Sequence, residues 1–267
     1  MNTPTTHPAE QTIKRPVYPP TIPQDQQIFL GLPCYGAQMT QPFTVGLIDL
    51  LQTTPFIGQI DFVVNDSLVS RARNTLAARF LKSKYNWLLF LDVDLMFRPE
   101  HIARLWLHGT KHDRKLVCGL YALKKLAPRF VANWLKGEQP DENGAVKVSE
   151  SGTGCMLIHR SVLETMREKM PEIAFTVDAN HPDAGATGWD FFAVGPYKYP
   201  SGLVRYLSED WMFCQRWRDL GGDVWADTKI QIKHMGTMIF PPDSKDIHEA
   251  VKTARAMGAA DMPTELV

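Results

Sequence analysis

Long apolar runs and an excess of either charge are both missing from this sequence. None of its hydrophobic stretches approaches the roughly 20 residues of a membrane-spanning helix, and the amino-terminal residues hold no signal-type apolar segment. Lys plus Arg and Asp plus Glu balance at 29 each, so no global field draws the chain to nucleic acid or acidic lipid. Cysteine is sparse. Cys34, Cys118, Cys155 and Cys214 lie far apart without a Cys-x-x-Cys pair, which argues against a zinc ribbon and suits buried, reduced thiols. No internal repeat is present. These absences lead to the expectation of a soluble cytoplasmic protein with no membrane span, in which only a local basic patch leaves room for a nucleic-acid partner.

What is present fits one α/β domain, since 267 residues with 44% hydrophobic content are ample for a buried core. Residues 1–26 are rich in Pro, Thr and Gln and read as an extended arm. From Gln27, short apolar runs alternate with amphipathic stretches, the pattern of βα units around a mixed, mostly parallel sheet flanked by helices. The spacing predicts strands at Ile28 to Leu32, Ile60 to Val64, Trp87 to Leu91 and Leu116 to Tyr121. Helices are expected over Gln41 to Leu51, Ser67 to Lys82 and Pro99 to Leu107, with Asp66 or Ser67 capping the second and Pro99 starting the third. Val69, Ala72, Leu76 and Phe80 form that second helix's apolar stripe. Further on come a hairpin through Pro140 to Gly144, a strand at Cys155 to His159, and a long irregular stretch from Pro171 to Tyr206. A helix from Glu209 ends at Gly221-Gly222, and short strands follow at Val224 to Ala226 and Lys229 to Lys233. The domain is expected to span residues 27–240, with a partly helical tail over 241–267.

In the string WLLFLDVDLMF, Asp92 and Asp94 follow a continuous apolar run, which reads as a strand buried on both faces. Ligands of open α/β sheets bind beyond such strand ends, and residues two apart in an extended chain point to one side. Two hard oxygen ligands there can hold Mg²⁺ or Mn²⁺, with a substrate diphosphate supplying further oxygens. The alternative is that both acids simply solvate a turn. The helix with NDSLVSRARNTLA can present free N–H groups together with Arg71 and Arg73 to an anion, and Arg71 and Asn74 share a face by spacing.

The order of elements around LLFLDVDLMF resembles the GT-A fold glycosyltransferases and their Asp-x-Asp motif, over about Ile28 to Met238. The resemblance implies a GT-A-like single domain that binds a nucleotide-diphosphate sugar and transfers its sugar, with inversion, to a carbohydrate or other hydroxyl-bearing acceptor. It implies Asp92 and Asp94 as ligands of the metal and donor, with His234 as a third metal ligand. Arg71, Arg73 and Asn74 would line the donor site, Pro33 and Tyr35 the base pocket. Gly152, Thr153 and Gly154 in SGTGCMLIHR would lie beside the donor sugar. YLSEDWMFCQRW resembles the family's x-Glu-Asp motif, making Asp210 the candidate general base with Glu209 alongside. Trp211 is a candidate for an apolar or sugar-stacking wall on the acceptor side, and the aromatic stretch with Trp189, Phe191, Phe192, Tyr197 and Tyr199 is a candidate for covering the acceptor or, equally, for a satellite core. His101, His108, His112 and His181 read as solvated residues, as does Lys124-Lys125. A haloacid-dehalogenase-type phosphatase with Asp92 as nucleophile, and a non-catalytic nucleotide-sugar-binding protein, are the rival readings.

Overall fold

The computed structural model describes residues 21–124, 129–179, 184–236, 239–240, 248–249 and 252. The expected tail beyond residue 240, His181 and Lys125 therefore lie almost wholly outside the described residues. The elements in chain order are β1 (Ile28–Cys34), α1 (Gln41–Thr53), β2 (Ile57–Val64), α2 (Val69–Lys82), β3 (Trp87–Leu91), β4 (Leu95–Met96), α3 (Pro99–His112) and β5 (Leu116–Tyr121). There follow β6 (Ala132–Trp134), β7 (Ala145–Ser151), β8 (Cys155–His159), α4 (Arg160–Lys169), β9 (Ala174–Thr176), β10 (Thr187–Trp189), β11 (Gly195–Lys198), β12 (Val204–Leu207), α5 (Glu209–Asp219), β13 (Val224–Met235) and β14 (Ile239–Phe240).

The central sheet has the order β2-β1-β3-β8-β5-β13-β7-β6, with β4 and β14 added on β13. β2, β1, β3, β5, β13 and β6 run one way, while β8 and β7 run against them. Apolar residues of α1 and α3, such as Phe43, Leu50, Ile102 and Trp106, cover one face of this sheet. Leu76, Phe80, Val162, Met166 and Phe213 of α2, α4 and α5 cover the other. β3 and β5 are buried along their whole length, as expected for strands sandwiched between helical layers. Among the described residues no helix is long and apolar enough to cross a membrane. All four cysteines are buried free thiols.

Several local expectations change. Ile22, placed in the extended arm by composition, is buried in the core of the α1/α3 face. Helix α2 begins at Val69 behind Leu68, and Asp66 serves the Leu68 N–H and Arg71 rather than capping the helix itself. In its stripe, Ala72, Leu76 and Phe80 are buried while Val69 is exposed. The two short strands after Gly222 are one long β13, bent where its pairing with β5 shifts register between Asp227 and Ile232. The stretch from Pro171 to Tyr206 is built of two antiparallel ribbons, β9/β10 and β11/β12. Helix α5 does end at Gly221: this residue has φ +85°, and its N–H and that of Gly222 bond the Arg218 and Trp217 carbonyls. His101 and His108 are buried, not solvated. The His108 ring pairs with the buried carboxylate of Asp227, which Arg104 also binds. Burial, reinforced by the Arg98 charge, lowers His101 to about 4.

Arg160 ties the end of α2 to the sheet. Its guanidinium donates to the carbonyls of Phe80, Leu81, Ser83 and Tyr85 at 2.7–3.1 Å and stacks over Phe80, so the open C-terminal carbonyls of α2 find donors from α4. Arg160→Met is expected to lower the free energy of unfolding by about 2–3 kcal/mol in urea titration. Arg160→Lys should recover less than half, because one ammonium cannot fan across the same carbonyls. A loss within error for Arg160→Met would show that water caps the helix as well.

Candidate functional site

Chain connectivity itself opens the site. From β1 the chain leaves through α1 toward β2 at one edge, and from β3 it leaves through α3 toward β5 on the other side. The carboxyl ends of β1 and β3 thus part around a crevice, the usual ligand position of an open α/β sheet. A cleft of about 300 Å³ lies there, lined by Pro33, Tyr35, Val63, Asp66, Asp92 and Asp94 among others. Pro33 and Tyr35 stand at the end of β1, Tyr35 largely exposed, and α2 begins beside the cleft.

The two acids do not lie on one extended strand. Residues 92–94 form a turn after β3, fixed from several directions: Asp92 N donates to the Gly154 carbonyl at 2.8 Å, Thr40 N to the Val93 carbonyl at 3.0 Å, and Met235 N to the Asp94 carbonyl at 2.8 Å. Their carboxylates therefore have different partners. Among the described residues no group of three or more His, Cys, Asp or Glu side chains converges as a metal centre. The expected set of Asp92, Asp94 and His234 is not assembled: Asp94 and His234 meet, whereas Asp92 is turned to an arginine.

That arginine is Arg73. Its side chain is only 3% exposed, stacks over Phe90, donates from Nη2 to Asp92 Oδ1 at 2.9 Å, and brings Nε within 3.6 Å of Glu209 Oε1. Its Nε and Nη1 have no hydrogen-bond partner. The pairing of Arg71 with Asn74 on a donor-facing surface is corrected. Arg71 is 57% exposed and forks onto Asp66, while Asn74 is buried and ties the chain at Asp190 and Phe192 through both ends of its amide. Position 73 lies three, four and seven residues before the buried Leu76, Ala77 and Phe80, a spacing that already marks it as facing inward.

Glu209 and Asp210 open α5 behind Ser208. Asp210 Oδ1 accepts from the Ser208 hydroxyl and from Trp211 N. Burial, then the adjacent Glu209 charge, raise its carboxyl to about 6, well above a solvated Asp. Burial with the Asp92 and Asp210 charges raises the Tyr121 phenol still further from ionisation. Tyr121 accounts for the glycines of the SGTGC turn: a Cβ at Gly152 would stand 2.3 Å from its hydroxyl, and one at Gly154 2.6 Å from it and 2.7 Å from Asp92 Oδ2. These glycines admit Tyr121 and Asp92 of the chain itself, and the Tyr121 hydroxyl accepts from Gly154 N at 3.0 Å. Thr153 is buried with its hydroxyl unpartnered.

On the other acid, Asp94 Oδ2 takes Lys124 Nζ at 2.5 Å and faces His234 Nε2 at 3.3 Å, while Oδ1 is buried with no partner. Burial works against the charged form of Asp94, but the His234 and Lys124 contacts outweigh it and lower the carboxyl below its usual value. The His234 Nδ1 donates to the Ala122 carbonyl at 2.9 Å. Lys124 is thus no solvated bystander. Its separation of thirty positions from Asp94 left no local signal.

The aromatic stretch divides toward the core. Phe191 and Phe192 are fully buried, the latter stacked on Phe213 at 4.4 Å. Trp189 packs beside Phe191 under Arg167. Tyr197 and Tyr199 hold Asp219 and Glu150. Trp211 lies beside Asp210 with Arg205 over its ring at 5.0 Å.

Among solved structures, the chain is similar to the crystal structure of A197 from STIV, with 17% identity and a TM-score of 0.51, over 81% of this chain and 94% of that one. That likeness shows a shared α/β fold. No family model and no curated protein matches the chain.

Proposed function

We propose that the chain is a metal-dependent glycosyltransferase that moves a sugar from a nucleotide-diphosphate sugar to an acceptor hydroxyl with inversion. The observation that carries this reading is the switch-point cleft lined by Asp92 and Asp94 together with Pro33 and Tyr35, linked through Arg73 to Glu209, the neighbour of Asp210. A divalent ion suits the Asp94 side. The Asp94 and His234 side chains meet at 3.3 Å, and Asp94 Oδ1 is a buried oxygen without a donor, a set compatible with Mn²⁺ or Mg²⁺. Asp94 and His234 would hold the ion, with Asp92 nearby, and when bound it neutralises charge on the departing diphosphate.

The chain's own groups do the rest. The cleft between β1 and β3 takes the nucleotide, with Tyr35 free to stack on a base. Arg73 holds Asp92 and Glu209 fixed. Asp210 accepts the proton of the acceptor hydroxyl as that oxygen bonds to the anomeric carbon, and the bond from this carbon to the diphosphate breaks with its electron pair leaving on the diphosphate oxygen. A carboxyl raised to about 6 is a stronger base than a solvated Asp and is still mostly ionised at neutral pH.

Thermal shift tests the reading. Uridine or guanosine diphosphate sugars are expected to raise the melting temperature of the wild type only with Mn²⁺, and Asp94→Ala to abolish that dependence. Stabilisation by the nucleotide sugar that ignores Mn²⁺ counts against the metal. Binding without release of nucleoside diphosphate favours a binding protein, and aryl phosphate hydrolysis lost in Asp92→Asn favours the phosphatase.

A further inference from the structure

The cation that Asp94 holds in the protein itself is the ammonium of Lys124, and it uses the same oxygen that His234 faces. We infer that Lys124 is an internal occupant of the divalent-ion position, which leaves Asp94 when an ion enters and thereby sets the affinity and readiness of the site; this rests on the metal-dependent reading above.

Three features carry it. An ammonium and a divalent ion on one carboxylate oxygen repel each other strongly at contact distance, so the Asp94 Oδ2 that Lys124 holds takes one of these cations at a time. Second, the ammonium leaves the site half satisfied: Asp94 Oδ1 stays buried and unpartnered, an oxygen that a divalent ion can take together with Oδ2.

Third, Lys124 is carried on a segment that is joined to the ligand set. It follows β5 just beyond the Ala122–Phe130 bridge, with Leu123 N bonded to the Arg129 carbonyl at 2.7 Å. The Ala122 carbonyl is the acceptor of His234 Nδ1. The imidazole that faces Asp94 through one nitrogen thus holds the base of the Lys124 segment through the other. With its side chain 40% exposed, Lys124 can swing to solvent, or to the phosphates of a bound donor, without breaking core packing.

Two measurements test this on the full chain. Mn²⁺ alone is titrated by electron paramagnetic resonance into the wild type and Lys124→Met; the variant is expected to bind about fivefold more tightly, the worth of a half-exposed ion pair. Acetylation of wild-type lysines by an activated acetate ester is then followed by tandem mass spectrometry. Saturating Mn²⁺ is expected to speed acetylation of Lys124 several-fold relative to Lys147 and Lys169, and in Asp94→Asn Lys124 should react fast with or without Mn²⁺. Equal Mn²⁺ affinity in wild type and Lys124→Met, or Lys124 acetylation unchanged at saturating Mn²⁺, overturns the exchange while leaving the metal reading intact. Absence of Mn²⁺ binding in both proteins overturns the two together.

Discussion

Asp210→Asn is expected to remove about 10²–10⁴ of the sugar-transfer rate while making the protein more stable at neutral pH. Both effects come from one cause. Burial and the Glu209 charge hold the Asp210 carboxyl at about 6 against 3.8 in an unfolded chain. The folded state therefore favours the protonated acid. Its contribution to stability is fully present below about pH 4 and is lost as pH rises through about 6. At pH 7 the wild type carries a carboxylate that its surroundings disfavour, and the amide carries none. The melting temperature of Asp210→Asn should exceed the wild type's at pH 7 to 8, and the difference should shrink toward pH 4. Wild-type turnover should rise with pH through a limb near 6, and Glu209→Gln should move that limb downward by removing the second cause of the shift. An amide variant that is active, or one whose stability relative to wild type does not change with pH, would take the base assignment away from Asp210.

Arg73→Met is expected to be the most destabilising change at the site. The side chain is almost wholly buried between Asp92 and Glu209, which are themselves only 29% and 15% exposed. Removing it strands two carboxylates in a poorly solvated place, for which a loss of about 3–5 kcal/mol is typical. For a domain of this size that corresponds to a fall in Tm on the order of 6–15 °C by calorimetry. Arg71→Met, two positions earlier, removes only an exposed pair with Asp66 and should cost less than about 1 kcal/mol. Similar losses for the two variants would mean that water reaches Arg73.

The contrast between these arginines marks where sequence reading succeeded. β3 and β5 were legible to the residue, because Trp87–Leu91 and Leu116–Tyr121 are unbroken apolar runs flanked by polar turns, and burial on both faces needs nothing more from the sequence. The cleft end of β3 followed from the acids placed directly after such a run. Arg73 was readable in principle from its phase with the buried Leu76, Ala77 and Phe80, although a charged side chain at that position ordinarily faces water. The irregular look of residues 171–206 came from short ribbons whose strands of three or four residues are too brief to display alternation. The glycines of the SGTGC turn look ligand-facing in one dimension, and only the position of the Tyr121 hydroxyl explains them.

By itself the sequence determined the α/β class, the succession of strands and helices from β1 through β3 and from α3 to β5, and the place of the two aspartates, since apolar periodicity and turn residues act between near neighbours. Tertiary structure alone decided which charge meets which. Arg73 reaches Asp92, Lys124 reaches Asp94, and His234 arrives beside it because β13 pairs with β4 in one register. Such pairings depend on sheet order and on which groups are shielded from water, and no local spacing encodes either.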